Sequence, residues 1–228
     1  MRSQPALVAT AVLGLAAGTL ASPLDTRCGD ATAYAAPQRP YVAIRRLEAE
    51  NRKSGRQGWM DVRTELGADG LLTVEVLDEG GSDYIRNRVL RGALESEQQL
   101  VARRQPAAVP AADASACAES QLDASGLLRV PLKPGRKGGD NLVIGHMFVQ
   151  PATGDLVRVE GRLAKNPSFW VSQVDLEWTY ARVHKDIVLP VSLHSIAKVK
   201  MFGPSTFSMT YDYRSVDGQA VSTSLASR

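Results

Sequence analysis

The chain contains few of the residues and motifs that usually carry out catalysis. Its 228 residues include two cysteines, three histidines and no Gly-x-Ser-x-Gly sequence. Nucleophilic catalysis needs a serine or cysteine beside a histidine and a carboxylate, and no arrangement of this kind stands out in the sequence. We therefore expect a protein that is not an enzyme, with no catalytic residues and no cofactor.

Charge and hydropathy exclude two further classes of protein. The 27 Lys and Arg residues exceed the 24 Asp and Glu residues by a net charge of only +3. Basic residues occur in short pairs such as Arg45-Arg46 and Arg103-Arg104, too sparse for a nucleic-acid-binding surface. After residue 20, no segment approaches the roughly 18 apolar residues of a membrane-spanning helix. We expect neither nucleic-acid binding nor an integral membrane protein.

The N-terminus has the pattern of an export signal. Arg2 precedes the uncharged segment 6–20, and small residues then favour cleavage after Ala21. An uncleaved anchor is the alternative. Residues 22–40 resemble a flexible leader, and we expect a periplasmic protein. In that compartment Cys28 and Cys117 are candidates for one disulfide, with two free thiols as the alternative.

The first half of the chain predicts a β-hairpin followed by a helix. Segment 58–66 alternates apolar and polar residues, and the Asp69-Gly70 turn leads into a second alternating segment at 68–77. Segment 45–51 is ambiguous, because its composition favours a helix whereas its position before a hairpin favours a strand. Ser82 is a candidate N-cap for a helix over 83–104, in which Gly92 marks a close packing point. The apolar stripe of this helix is Ile85, Val89, Ala93 and Leu94.

The second half predicts a series of strands after the Ala/Pro-rich connection 105–120. Sequential period-2 strands usually pair antiparallel, and strands this long favour a strongly curved sheet. The predicted fold class is mainly β (α+β): an unclosed antiparallel β-barrel over 41–216 with the helix across its concave face. Residues 217–228 form a flexible tail. The predicted strands are 126–133, 141–149, 154–164, 169–182, 186–202 and 205–213.

Bulky apolar side chains share one face of these strands. Core filling is one interpretation. The other is the wall of a ligand cavity, since the inner face of a barrel serves both purposes. The candidate ligand-binding residues are Trp170, Val174, Leu176, Trp178, Tyr180, Phe207, Met209, Tyr211 and, from the helix, Val89.

Other groups of polar residues predict no site. His184, Asp186 and His194 are too few for a metal centre unless they converge, so no metal is expected. Ser168 and His184 lack a triad context. Asp78, Glu79 and Asp83 surround a Gly-Gly turn, where solvated carboxylates are common. The basic segment 135–140 lacks the strand-to-helix setting of a phosphate loop.

The segment "LVRVEGRLAKNPSFWVSQVDLEWTYARVHKDIVLPVSLHSIAKVKMFGPSTFSMTYDY", with "RRLEAENRKSGRQGWMDVRTEL" and "EGGSDYIRN" before it, resembles the LolA/LolB-like family of outer-membrane lipoprotein-sorting proteins. The resemblance covers about residues 41–215 and extends to the N-terminal domains of RseB/MucB-like proteins. It implies an open barrel with an apolar cavity. It also implies lipid or lipoprotein acyl chains as partners, and a non-enzymatic carrier in the cell envelope. The alternative that it implies is a periplasmic regulatory module that contacts another envelope protein.

Overall fold

The computed structural model describes residues 39–103, 119–132, 143–164, 171–184, 187–201 and 203–221. These residues form eleven strands and a helix. The helix begins as a π-helix, Ile85–Leu90, and continues as an α-helix, Arg91–Ala102. The strands are β1 Tyr41–Asn51, β2 Arg56–Leu66, β3 Leu72–Gly81, β4 Gln121–Leu122, β5 Leu128–Leu132, β6 Val143–Val149, β7 Leu156–Leu163, β8 Val171–His184, β9 Ile187–Val199, β10 Gly203–Val216 and β11 Gln219–Ala220.

All the strands belong to one antiparallel sheet. Its order is β3-β2-β1-β10-β9-β8-β7-β6-β5-β4, with β11 paired to β10. Because β1 pairs with β10 along its whole length, the two ends of the domain meet at the centre of the sheet. Within the described ranges β3 and β4 remain edge strands, so the sheet does not close. The predicted fold class, a curved, unclosed antiparallel sheet with a helix on one face, is confirmed.

The ambiguous segment 45–51 belongs to strand β1. Its burial alternates along the chain, with Ala43, Leu47 and Ala49 buried. The strand pairs with β2 on one side and β10 on the other. Hydrogen bonding to two neighbours therefore outweighs the helical preference of its Glu, Leu and Arg residues, which is a weak local term.

The helix differs from the prediction at its start. Ser82 holds this start through its backbone: its N–H donates to the Gln57 carbonyl at 2.7 Å, and its carbonyl accepts from the Arg86 N–H at 3.0 Å. In the π-helical turn Ile85 and Leu90 are both buried, at the i, i+5 spacing of a π-helix. The predicted close packing at Gly92 is wrong, because no atom lies within 4 Å of the position that its Cβ would take.

The core lies on one face of the sheet, which we call the inner face. The sheet–helix cluster joins β1, β2 and β10 to the helix. The strand cluster joins β5, β6 and β7 to the ends of β8 and β9. Trp178 packs against both clusters. The buried members of the sheet–helix cluster are Ala43, Leu47, Ala49, Met60, Val62, Ile85, Leu90, Leu94, Met209, Tyr211, Tyr213 and Val216.

A pair of glycines permits the close approach of β6 and β7. Gly145 and Gly161 lie opposite each other in the ladder. A Cβ on Gly145 would overlap the carbonyl oxygen of Glu160 and lie 2.6 Å from the Gly161 Cα. Glycine in a strand interior often marks such close backbone contact or a tight bend.

Several sequence predictions fall at the margins of the described chain. Cys28, Cys117 and the turn at 165–168 lie outside it, although β7 and β8 pair antiparallel on either side of that turn. The segment assigned to the tail begins with an ordered hairpin, because Asp217 and Gly218 have positive φ angles and lead into β11. Among the described residues, no helix is both long and apolar enough to cross a membrane.

Candidate functional site

The predicted ligand-binding residues divide into a buried group and a partly exposed group. Tyr180, Met209 and Tyr211 are buried within the two core clusters. Trp170 lies outside the described residues. The partly exposed group consists of Val89, Val174, Leu176, Trp178 and Phe207.

The partly exposed group lies along the inner face between the two clusters. The register aligns Trp178 with Leu193, and Leu176 with Ser195 and then Phe207. Alternation places Val174 on the same face. The helix packs mainly on β1, β2 and β3, so it covers this region less completely. We call this half-buried surface the inner seam; its residues are Val174, Leu176, Trp178, Leu193 and Phe207.

A fully buried arginine lies beside the sheet–helix cluster. Arg45 occupies an inner-face position of β1, between Val62 on β2 and Tyr211 on β10, and has no exposed surface. Its Nη2 donates to Glu97 Oε2 on the helix at 2.7 Å and lies 2.6 Å from the sulfur of Met209. Its Cζ lies 4.7 Å from the centre of the Tyr211 ring, within cation–π range. Nε and Nη1 have no hydrogen-bond partner among the described residues.

Electrostatics keep this arginine charged and its tyrosine neighbours neutral. Burial alone would lower the pKa of Arg45, but Tyr211, Glu97 and Tyr41 together hold that pKa above its ordinary value. Burial raises the pKa of Tyr41 to about 12, and Arg45 only partly offsets this rise. Burial also raises the pKa values of Tyr211 and Tyr213. At neutral pH the carboxylate of Glu97 is therefore the negative partner of Arg45.

Sequence reasoning missed this pair. In the sequence Arg45 stands out only as one of a short basic pair with Arg46, whose guanidinium lies at the outer surface, against the Trp59 ring and Asp61. The signal that could have found it is the alternation of side chains along a strand. Arg45 falls on the same alternation as Ala43, Leu47 and Ala49, so a strand at this position directs it inward.

Two open grooves lie on the outer face of the sheet. The larger, of about 610 Å³, crosses β6 to β9 and contains a row of two glutamates between two histidines: His146, Glu160, Glu177 and His194. Leu176 also borders it. Arg129 Nη2 lies 3.1 Å from His146 Nδ1, and burial followed by the charge of Arg129 lowers the pKa of His146. In the described part of the chain, no three potential ligands are placed to hold a metal ion.

The other polar residues considered from the sequence have separate structural roles. His184 pairs with Ile187, whereas His194 pairs with Glu177, seven positions along β8 from His184. At about 3.3 Å per residue, the two histidines lie roughly 23 Å apart and cannot share a metal. Asp186 and Ser168 lie outside the described residues.

The carboxylates around the Gly-Gly turn anchor the start of the helix. Glu79 accepts from Arg86 at 3.0 Å and from Arg91 at 2.7 Å, and Asp83 pairs with Arg86. Each contact ties the end of β3 or the first turn to the helix. Glu79 and Asp83 therefore stabilise the position of the helix.

Comparison with known proteins leaves the family open. No family model and no curated protein matches the chain. Among solved structures, a DUF1329 family protein from Desulfovibrio piger is similar, with 8% sequence identity and a TM-score of 0.41. The alignment covers 91% of this chain and 95% of that protein. At this TM-score the likeness carries no argument about function.

Proposed function

We propose that this protein is an exported, non-enzymatic binding protein that holds the acyl chain of a lipid or lipoprotein against its inner face. The observation that supports the proposal is the inner seam. It is an apolar surface on the core side of a curved sheet that the helix covers incompletely. An acyl chain laid along it would complete the contact between the two core clusters.

The composition of the seam suits an acyl chain. On β8 the seam residues are Val174, Leu176 and Trp178, whereas Asp175 and Glu177 belong to the outer groove. Ligand pockets for apolar groups have bulky walls and few polar side chains. Each buried methylene group contributes about 0.8 kcal/mol, so the gain grows with chain length and must exceed the cost of association before binding is observed.

Two features of the sequence support the cellular part of the proposal. Residues 1–21 have the pattern of an export signal, and the resemblance to LolA/LolB-like proteins implies a carrier in the periplasm. N-terminal sequencing of the exported protein should find a mature chain that begins near Ser22. A chain that still begins at Met1 would contradict export by cleavage.

Tryptophan fluorescence tests the ligand. Titration with decanoate or a triacylated lipopeptide should change the emission of the wild-type protein. Trp178 lies in the seam, whereas Trp59 lies in the smaller outer groove, so the two residues make a matched pair. Trp178→Phe should remove most of the change and Trp59→Phe should preserve it. If no acyl ligand alters the emission or the melting temperature of the wild-type protein, the proposal fails.

A second candidate function, a protein-interaction module of the envelope, is favoured by one observation. The edge strand β3 and its neighbouring turns expose Leu71, Val76, Leu77 and Tyr84. An edge strand with apolar side chains is a template for pairing with another chain. Under this alternative, Leu77→Lys would abolish capture of an envelope protein partner in a cross-linking experiment, whereas Trp178→Phe would not.

A further inference from the structure

We infer that Arg45 binds the carboxylate head group of the acyl ligand, in the place that Glu97 occupies in the structure. The inference rests on the proposed function and adds the chemical class of the ligand, a carboxylic acid with a long acyl chain. It starts from the unpaired Nε and Nη1 of Arg45, which is wholly buried. Buried polar groups without partners are rare in folded proteins and call for an explanation.

The geometry of the guanidinium explains why a second carboxylate would fit better than Glu97. A guanidinium offers two edges for bidentate binding, Nε with Nη2 and Nη1 with Nη2. Glu97 contacts Nη2 alone, through one oxygen. Because Nη2 belongs to both edges, Glu97 blocks each of them and completes neither. A free carboxylate that replaces it gains a second hydrogen bond, to Nε or to Nη1.

Charge balance requires that the ligand replaces Glu97 and does not join it. Arg45 carries one positive charge, and Tyr41 and Tyr211 stay neutral at physiological pH because burial raises their pKa values. A second carboxylate beside Glu97 would leave an unpaired buried charge, which is costly. The side chain of Glu97 is 32% exposed and reaches solvent from the surface of the helix. Glu97 is therefore a tethered substitute for the ligand.

Met209 and Tyr211 connect this position to the apolar surface. Met209 touches Arg45 through its sulfur, and it pairs with Leu193, a residue of the inner seam. Leu193 pairs in turn with Trp178. If the ligand carboxylate binds Arg45 on β1, the acyl chain can cross Met209 on β10. It then reaches Leu193 of the inner seam on β9, two strands from β1. Departure of Glu97 releases one contact between the helix and β1.

Isothermal titration calorimetry with decanoate, decan-1-ol and acetate tests this assignment. The wild-type protein should bind decanoate about 10- to 100-fold more tightly than decan-1-ol, the range expected for a charged hydrogen-bond pair. Acetate should show no binding at concentrations that saturate with decanoate. Arg45→Met should bind decanoate and decan-1-ol equally. Glu97→Gln should bind decanoate about 10-fold more tightly than the wild type, with decan-1-ol unchanged.

The opposite effects of the two variants distinguish a ligand contact from a structural pair. Arg63→Met is the matched control, because Arg63 pairs with Glu65 at the surface of β2; its affinity for decanoate should equal that of the wild type. If the wild type and Arg45→Met both bind decanoate and decan-1-ol equally, the inference fails and the proposed function stands. If the wild type binds neither compound, both fail. If circular dichroism shows that Arg45→Met does not fold, the wild-type comparison and Glu97→Gln decide.

Discussion

Removing either partner of the Arg45–Glu97 pair should have very different effects on stability. The two side chains share one hydrogen bond of 2.7 Å, but Arg45 has no exposed surface whereas Glu97 is 32% exposed. Arg45→Met replaces the buried charge with an apolar side chain and leaves a carboxylate that solvent can hydrate. Glu97→Gln leaves the buried guanidinium without its counter-charge. Which partner is removed should therefore decide how large the loss of stability is.

The magnitudes follow from what each variant leaves behind. Arg45→Met loses a charged hydrogen bond worth about 1.5–3 kcal/mol and a cation–π contact of about 1–2 kcal/mol. It also removes two unpaired buried N–H groups, each of which costs about 1–3 kcal/mol. We expect its free energy of unfolding to lie within about 1 kcal/mol of the wild type, or above it. Breaking a fully buried pair costs about 3–5 kcal/mol, and since Glu97 is partly exposed we expect about 2–3 kcal/mol for Glu97→Gln.

Urea unfolding, followed by tryptophan fluorescence and far-ultraviolet circular dichroism, measures both values. The slopes of the transitions must agree before the midpoints are compared. Arg63→Met, at a surface pair, should change stability by less than about 1 kcal/mol. If Arg45→Met loses as much stability as Glu97→Gln, the remaining N–H groups of Arg45 are satisfied in solution. The argument that the unpaired N–H groups of Arg45 form a binding site for a ligand carboxylate would then be refuted.

Three further predictions concern the sheet, the helix and alkaline pH. Gly145→Ala should lower the free energy of unfolding by about 3 kcal/mol, because the new Cβ would overlap the backbone of β7. Gly92→Ala should raise the free energy of unfolding by up to about 1 kcal/mol, because Gly92 lies on the helix with open space around its Cβ position. Urea midpoints of the two variants check both signs. Val89→Asp should cost about 2 kcal/mol, since Val89 packs against the sheet–helix cluster; a wild-type melting temperature would show that this face of the helix is not buried. Burial raises the pKa of Tyr41 from about 10 in the unfolded chain to about 12 in the folded protein. The contribution of Tyr41 to the free energy of unfolding is therefore complete below pH 10 and should be lost as the pH rises from 10 to 12. Absorbance at alkaline pH and urea midpoints at successive pH values test this order, and ionisation of every tyrosine near pH 10 with the fold intact would contradict it.

The alternation of apolar and polar residues was enough to predict most of the sheet. Met60, Val62, Thr64 and Leu66 share a buried face because side chains alternate along any strand, whatever its neighbours. The helix was equally visible from its apolar stripe, although its π-helical start was not. The i, i+5 spacing of Ile85 and Leu90 becomes evident only when both residues are packed against the sheet. Local periodicity thus predicted the types of element more reliably than their ends.

The inner seam was predicted in part, because the face of Val174, Leu176 and Trp178 follows from alternation alone. Its exposure did not follow, since that depends on which strands the helix covers. The helix follows β3 in the chain and packs on β1, β2 and β3, so it leaves β7 to β9 less protected. The sequence order of elements does not specify how far a helix extends across a sheet.

Arg45 and Arg46 illustrate the division between sequence and tertiary structure. From the sequence they form one basic pair, and local propensity does not separate them. In the structure Arg45 is fully buried beside Tyr211 and Glu97, whereas Arg46 lies at the surface against Trp59 and Asp61. The sequence by itself determined that neighbours in a strand face opposite ways. Only tertiary structure decided that this segment is a strand and that Arg45 meets Glu97, because β1 pairs with β10, more than 150 residues later in the chain, and is covered on its inner face by the helix.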